Sequence, residues 1–166
     1  MLLDNRLYLT CSSKFFQGAS YAAVAVVTIG SNLEDESSKM FRNGEFIEAL
    51  TMDACGIAVL NEVTGYIRQK LADWGESQGW ELGYTLNPGC HMIPLEQQKV
   101  VFSLVEADRI GVKLTESYLM VPIKSSSLII PVGKGLDLPN QSNNACELCN
   151  RQTTCLYKPY LKKNGN

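Results

Sequence analysis

The chain has 166 residues, of which 45% are hydrophobic and 19% are charged, and its formal net charge is -2 at pH 7. This length and composition are typical of one globular domain with its own core. The slight negative charge disfavours nucleic acid and anionic membranes as partners. No apolar run is long enough to span a bilayer, and no signal-peptide pattern opens the chain. We therefore expect a cytoplasmic protein with reduced thiols.

The first half of the chain predicts one buried strand followed by helices. Residues 22–29 form a β-rich apolar run that Gly30 closes, as expected for a buried strand. Residues 31–77 are mostly helical in pattern and are punctuated by Asn43-Gly44. An apolar series follows one face of the second helix: Phe46, Leu50, Ala54, Ile57, Ala58 and Leu60 or Asn61. Three small residues predict that this helix packs closely against a sheet or another helix: Ala54, Gly56 and Ala58.

The second half predicts a loop, a helix and two strands. Residues 83–94 carry two prolines and two glycines, which favours an ordered loop. Residues 95–108 predict an amphipathic helix with Glu96 in its first turn, and residues 110–133 predict a strand, a turn and a strand. We expect an α+β fold, an antiparallel sheet covered by two long helices, over residues 1–136. Residues 137–166 are expected to form a cysteine-rich metal-binding tail, which a polar linker precedes.

Two motifs, "NPGCHMIPLEQQ" and "LTESYLMVP", carry a resemblance to a known family. They resemble the activation (reactivation) domain of cobalamin-dependent methionine synthase, and more closely the short stand-alone proteins related to it. The resemblance covers roughly residues 20–133 and implies the same fold. It also implies a docking or cofactor-binding face, made by a loop and a turn whose residues are Thr85, Pro88, Gly89, His91, Thr115, Glu116 and Ser117.

The resemblance implies an accessory role in cobalamin metabolism rather than a stand-alone enzyme. The family's activation domain binds S-adenosylmethionine and docks over a corrinoid domain, where Co(II) is reduced and remethylated. This chain would then dock on a corrinoid protein and support its reductive reactivation to Co(I). It departs from the family at two loop positions, because Thr85 stands where an Arg helps to hold the methionine carboxylate and Cys90 stands where a Tyr is usual.

The resemblance also bears on assembly. The relatives carry more chain before the first family-like strand than this sequence does. An element from a second copy would fill that gap, so a homodimer is among the expected assemblies.

Three of the six cysteines, Cys146, Cys149 and Cys155, have C-x2-C-x5-C spacing. Thiolates at this spacing reach one soft metal centre, and a fourth ligand is then required. Cys90, or the neighbouring His91, is the natural fourth ligand because it lies in the loop of the resemblance. All-cysteine ligation fits a 4Fe–4S cluster for low-potential electron transfer, and the same ligands fit a structural zinc. We favour the cluster over zinc and over a tail of free or disulfide-bonded thiols.

The other conspicuous residues have ordinary structural interpretations. Cys11 and Cys55 are expected to be buried as small apolar side chains. The acidic residues 34–36 suit the start of a helix. The Thr115 to Ser117 turn is expected to bind or to be structural rather than to catalyse. Lys124 and the serines after it would bind a phosphate or a corrinoid side chain, or would lie in a solvated turn.

Three functional hypotheses follow from these observations. The first is an iron–sulfur protein that docks on a corrinoid protein and passes it an electron. The second is an S-adenosylmethionine-binding reactivation domain whose tail holds a structural zinc. The third is a non-enzymatic interaction module that keeps only the corrinoid-docking shape.

Overall fold

The computed structural model describes residues 13–90 and 93–136. Cys11, His91 and the predicted metal-binding tail of residues 137–166, with Cys146, Cys149 and Cys155, lie outside the described residues. The described helices and strands are, in chain order, β1 (Tyr21–Thr28), α1 (Asn32–Arg42), α2 (Phe46–Ser77), β2 (Glu81–Leu82), α3 (Gln98–Leu104), β3 (Lys113–Leu114), β4 (Met120–Val121) and β5 (Ser125–Gly133). Short 3-10 turns cover Ser13–Phe16, Leu95–Gln97 and Ala107–Ile110.

The main sheet has three antiparallel strands in the order β1-β5-β2. Its register pairs Val24 with Ile129 and Val26 with Ser127. Strands β3 and β4 form a separate two-stranded hairpin. The predicted α+β class is therefore confirmed in its coarse form, a small antiparallel sheet accompanied by long helices.

Strand β5 is the centre of the core because helices cover both of its faces. Its middle residues Leu128, Ile129 and Ile130 are all buried, and successive side chains of a strand point to opposite faces. Ile129 belongs to a cluster on the α3 side, which contains Phe15, Tyr84, Leu86, Ile93, Val101 and Ile129. Helix α2 lies along the other face, so the described chain has a helix, sheet and helix arrangement.

The predicted elements are largely confirmed, with one helix shorter than expected. The strand predicted for residues 22–29 is β1. Its expected burial is wrong, because β1 lies at the edge of the sheet and only Val27 in it is buried. The helical segment divides at Asn43-Gly44 as predicted. The helix predicted for residues 95–108 ends at Leu104 because Val105 adopts an extended conformation. Val105 packs against the α3-side cluster, and this tertiary contact outweighs the helical pattern around it.

Helix α2 leaves its predicted apolar series exposed within the chain. Of the three small residues expected to pack closely, only Gly56 is buried, where it lies against the side chains of Lys124 and Ile29. Ala54 and Ala58 are exposed, and so is Cys55, whose expected burial is wrong. None of the described helices combines the length and apolar character needed to cross a membrane.

Two glycines give opposite predictions for stability. A Cβ at Gly133 would collide with the backbone oxygen of Gly18 and approach the Cα of Ala19 to 3.0 Å, whereas a Cβ at Gly65 on α2 would meet no atom within 4 Å. We expect Gly133→Ala to lower the free energy of unfolding by about 2–3 kcal/mol. Gly65→Ala should raise it by up to about 1 kcal/mol, since alanine favours helix. Urea unfolding in dilute solution measures both, and equal effects would contradict this packing.

Candidate docking site

The loop after β2 is fixed to β5 at its start. Leu86 and Ile129 exchange two backbone hydrogen bonds, of 2.9 and 2.8 Å. The Asn87 side-chain amide then donates to the Ser127 carbonyl at 2.6 Å. The Cys90 amide closes a turn by donating to the Asn87 carbonyl at 3.0 Å. These contacts confirm the ordered loop as far as Cys90, with Pro88 buried and Gly89 exposed at its tip.

Gly89 is the residue of the loop whose conformation requires glycine. Its φ is +89°, a left-handed value that other residues adopt only with strain. Its amide donates to the Ile93 carbonyl at 2.9 Å, which returns the chain toward the core. The loop therefore presents its tip in one defined conformation.

Cys90 is a free, half-buried thiol at the end of this turn. It packs against the α3-side core cluster, so its backbone position is well fixed. Within residues 13–90 and 93–136, no three His, Cys, Asp or Glu side chains form a group able to hold a metal. A metal centre that includes Cys90 would need ligands from outside these residues, where the other three predicted ligands lie.

Thr85 is coupled to a cation that sequence analysis did not anticipate. The Arg68 side chain, from α2, donates from Nη1 to the Gly83 carbonyl at 2.9 Å and to Thr85 Oγ1 at 3.1 Å. Partial burial lowers the pKa of Arg68 from its ordinary value, but a guanidinium stays protonated in proteins. Arg68 therefore places a guanidinium beside Thr85 and the Gly83 carbonyl. No sequence pattern links the two residues, because they lie 17 positions apart on different elements.

The "LTES" motif forms the tip of the β3–β4 hairpin. Thr115 holds the turn, because its hydroxyl accepts from the Leu119 amide at 3.1 Å and its carbonyl accepts from the Tyr118 amide at 3.0 Å. Thr115 thus has a structural role. Glu116 and Ser117 are exposed at the tip and make no side-chain hydrogen bond to any described residue.

The loop and the hairpin tip both contact the segment that begins α3. A Cβ at Gly89 would lie 3.1 Å from Leu95 Cδ1. The Lys99 ammonium lies 4.5 Å from the centre of the Tyr118 ring, in cation–π contact. The Pro88-Gly89 tip and the "LTES" turn are therefore neighbours of one segment, residues 95–99, and a docking partner could contact both.

Two buried polar atoms near this segment have no hydrogen-bond partner among the described residues, namely Gln98 Oε1 and Ser127 Oγ. Gln98 lies one turn before Val101 on α3, and Ser127 lies two residues before Ile129 on β5, so both belong to the α3 side of the sheet. A buried polar atom without a partner destabilises the fold. At each of the two atoms a hydrogen-bonding group would therefore be stabilising.

Lys124 is a structural residue, and the solvated turn suggested for it is wrong. Its side chain is buried, and Nζ lies 2.5 Å from Asp53 Oδ1 on α2. The amides of Ile123 and Lys124 both donate to Glu34 Oε2, at 2.8 and 3.3 Å. Glu34, expected only to begin a helix, thus fixes α1 to the connection between β4 and β5.

Comparison with known proteins adds no relative. No family model matches the chain, and no curated protein matches it significantly.

Proposed function

We propose that this chain is an iron–sulfur protein of cobalamin metabolism that docks on a corrinoid protein and supports its reduction from Co(II) to Co(I). The supporting observation is Cys90, a free and partly exposed thiol in a loop that is fixed to the central strand. On this proposal the finer fold is that of the methionine synthase activation domain. The protein acts in the cytoplasm as an accessory to a methyltransferase.

The proposed ligands are the three tail cysteines and Cys90, and the donor chemistry fits. Four thiolates are the usual ligands of a 4Fe–4S cluster. Such a cluster, when bound, supplies single electrons at low potential, which the conversion of Co(II) to Co(I) consumes. A reduced low-potential donor protein must provide each electron. Cys90 would couple the tail to the docking loop, so that a bound metal centre lies beside the corrinoid partner.

The loop and hairpin tip have the binding role in this proposal. The Pro88-Gly89 tip is exposed at Gly89 and rigid at its base, so docking would require little ordering of the loop. Glu116 and Ser117, exposed at the hairpin tip, would offer polar contacts to the same partner. No residue of the chain is assigned to acid–base catalysis, because a one-electron reduction needs none.

A direct assay uses the corrinoid-binding domain of cobalamin-dependent methionine synthase, loaded with cob(II)alamin, as the probe. The anaerobic, chemically reduced protein is expected to convert the Co(II) absorbance of this probe to that of Co(I). The Cys90→Ser variant should lose this activity, whereas Cys55→Ser, which changes an exposed thiol on α2, should keep it. Equal activity of both variants would remove Cys90 from the proposal.

A second candidate is the S-adenosylmethionine-binding domain with a structural zinc, and the Arg68–Thr85 contact favours it. A guanidinium carries five N–H donors in a planar fork that suits a carboxylate, so Arg68 fits the methionine carboxylate. Arg68 is therefore the residue proposed to bind the carboxylate of S-adenosylmethionine, which when bound supplies a transferable methyl group.

Calorimetry with millimolar S-adenosylmethionine tests this second candidate. It predicts heat of binding that Arg68→Gln abolishes and that Arg109→Gln leaves unchanged, because Arg109 is an exposed residue whose described ion pair is a surface contact with Glu106. The absence of heat with the unchanged protein would eliminate the candidate.

Binding of the corrinoid-binding domain with neither metal nor S-adenosylmethionine would instead support the third hypothesis, a non-enzymatic interaction module.

A further inference from the structure

The outer face of α2 carries a long apolar stripe that the described chain leaves largely exposed, although the Phe46 ring meets Phe41 of α1 edge-on at a centroid distance of 5.7 Å. We define this α2 stripe as Phe46, Ile47, Leu50, Ala54, Ile57, Ala58, Asn61 and Gly65, all of them exposed. The exposed fractions of its large residues are 57% for Phe46, 77% for Ile47, 61% for Leu50 and 49% for Ile57. At 100° per residue the eight positions fall within one third of the helix circumference.

The stripe is free of charge over its whole length. Between Phe46 and Gly65 the helix has three charged residues, Glu48, Asp53 and Glu62, and none of them falls within the arc of the stripe. One of the three, Asp53, is engaged with Lys124. An apolar face of this kind, rimmed by polar residues, marks an interaction surface rather than ordinary solvent-exposed helix.

The arrangement of large and small residues along the stripe identifies the occupant. The large side chains Phe46, Ile47 and Leu50 lie at its N-terminal end. The small residues Ala58, Asn61 and Gly65 lie at its C-terminal end, and a Cβ at Gly65 would have open space around it. If a second α2 helix lies antiparallel on the first, the large side chains at the N-terminal end of each stripe therefore lie opposite the small residues at the C-terminal end of the other.

We propose that a second copy of this chain covers the α2 stripe, with the two α2 helices antiparallel about a two-fold axis. Phe46 of one protomer then faces Gly65 of the other, Leu50 faces Asn61, and Ala54 faces Ile57. A two-fold interface uses the same patch on both copies, which is what a self-complementary stripe provides. A parallel pairing is disfavoured because the large side chains of the two helices would collide at one end, and the small residues would leave a gap at the other.

The size of the stripe sets the expected affinity. Twenty helical residues extend about 30 Å, and a helix is about 10 Å wide, so the footprint is on the order of 300 Å² per copy. An exposed apolar patch of this size is often functional. Two copies would bury on the order of 600 Å² in total, which is less than the roughly 1,200–2,000 Å² of standard stable interfaces. We therefore expect a weak, reversible dimer with a dissociation constant in the upper micromolar range.

Sedimentation equilibrium of the full chain tests the proposal, with Leu50→Glu as the disrupting variant. The unchanged protein should shift from monomer to dimer across micromolar concentrations, and Leu50→Glu should weaken the dimer by about tenfold or more. Val59→Glu is the matched control. Val59 is another exposed aliphatic residue of α2. It lies nine positions after Leu50 and therefore on the opposite side of the helix, so the Val59→Glu variant should dimerise normally.

A rescue variant tests the antiparallel arrangement itself. In an antiparallel dimer Glu at position 50 faces position 61 of the partner, so adding Asn61→Lys to Leu50→Glu should restore dimerisation through two cross-protomer ion pairs. In a parallel dimer like charges would meet, and the double variant would remain monomeric.

A monomeric unchanged protein, or equal effects of Leu50→Glu and Val59→Glu, would overturn the proposal. If the unchanged protein is monomeric at every concentration and Leu50→Glu abolishes binding of the corrinoid-binding domain, the stripe is instead a binding surface for that domain.

Discussion

Serine at any one of the three tail cysteines, for example Cys149→Ser, is expected to reduce the iron of anaerobically prepared protein from about four atoms per chain to background. A 4Fe–4S cluster needs four ligands, and a serine hydroxyl does not replace a thiolate as a ligand to soft metal centres. The measurement is iron and acid-labile sulfide per chain, together with absorbance in the visible region. Cys90→Ser should have the same effect if Cys90 is the fourth ligand.

The control for these variants is Cys55→Ser. Cys55 is exposed on α2 and is not among the proposed ligands, so this change should leave the iron content at its original value. If Cys90→Ser also keeps the full cluster, the fourth ligand lies elsewhere and the tail is not linked to the loop through Cys90. If the tail variants bind as much iron as the unchanged protein, the ligand assignment is wrong.

The second large effect is expected at the buried ion pair between Lys124 and Asp53. Asp53→Asn should lower the free energy of unfolding by about 2–3 kcal/mol, because the buried ammonium loses its charged partner. This value is below the range for fully buried pairs, since the Asp53 side chain is 44% exposed whereas that of Lys124 is 8% exposed. Replacing Lys124 with methionine at the same time should recover part of the loss, as no unpaired charge then remains buried.

A surface pair supplies the comparison. Lys39 and Glu36 are 3.4 Å apart on α1, and both side chains are largely exposed. Glu36→Gln should therefore change the free energy of unfolding by less than about 0.5 kcal/mol. Urea unfolding of the two variants measures the difference. A loss for Asp53→Asn as small as that for Glu36→Gln would mean that Lys124 reaches solvent without its partner.

The elements that local sequence could predict were those with strong local signals. The run of residues 22–29 combines β-branched side chains with a closing glycine, and β1 occupies almost the same residues. Asn43-Gly44 interrupts a helical pattern, and α1 ends at Arg42 while α2 begins at Phe46. The helix of residues 95–108 was predicted too long because its end depends on Val105, whose extended conformation suits a tertiary contact.

The long-range contacts that hold the fold and the candidate site could not be predicted because they join distant positions. Lys124 meets Asp53 across 71 residues, and the Ile123 amide meets Glu34 across 89. Arg68 on α2 donates a hydrogen bond to Thr85 in the loop, and no sequence motif includes both residues. The periodicity of α2 correctly grouped Phe46, Leu50 and Ile57 on one face, but periodicity alone does not say whether the chain itself or a partner covers that face.

The central claim is that the protein holds an iron–sulfur cluster next to a corrinoid-docking loop, and metal analysis tests it most directly. Protein prepared without oxygen, before and after reconstitution with iron and sulfide, is analysed for iron, sulfide and zinc. The account predicts about four iron and four sulfide per chain, with brown colour and little zinc. One zinc per chain would support the S-adenosylmethionine-binding alternative, and a colourless protein without iron after reconstitution would contradict the account.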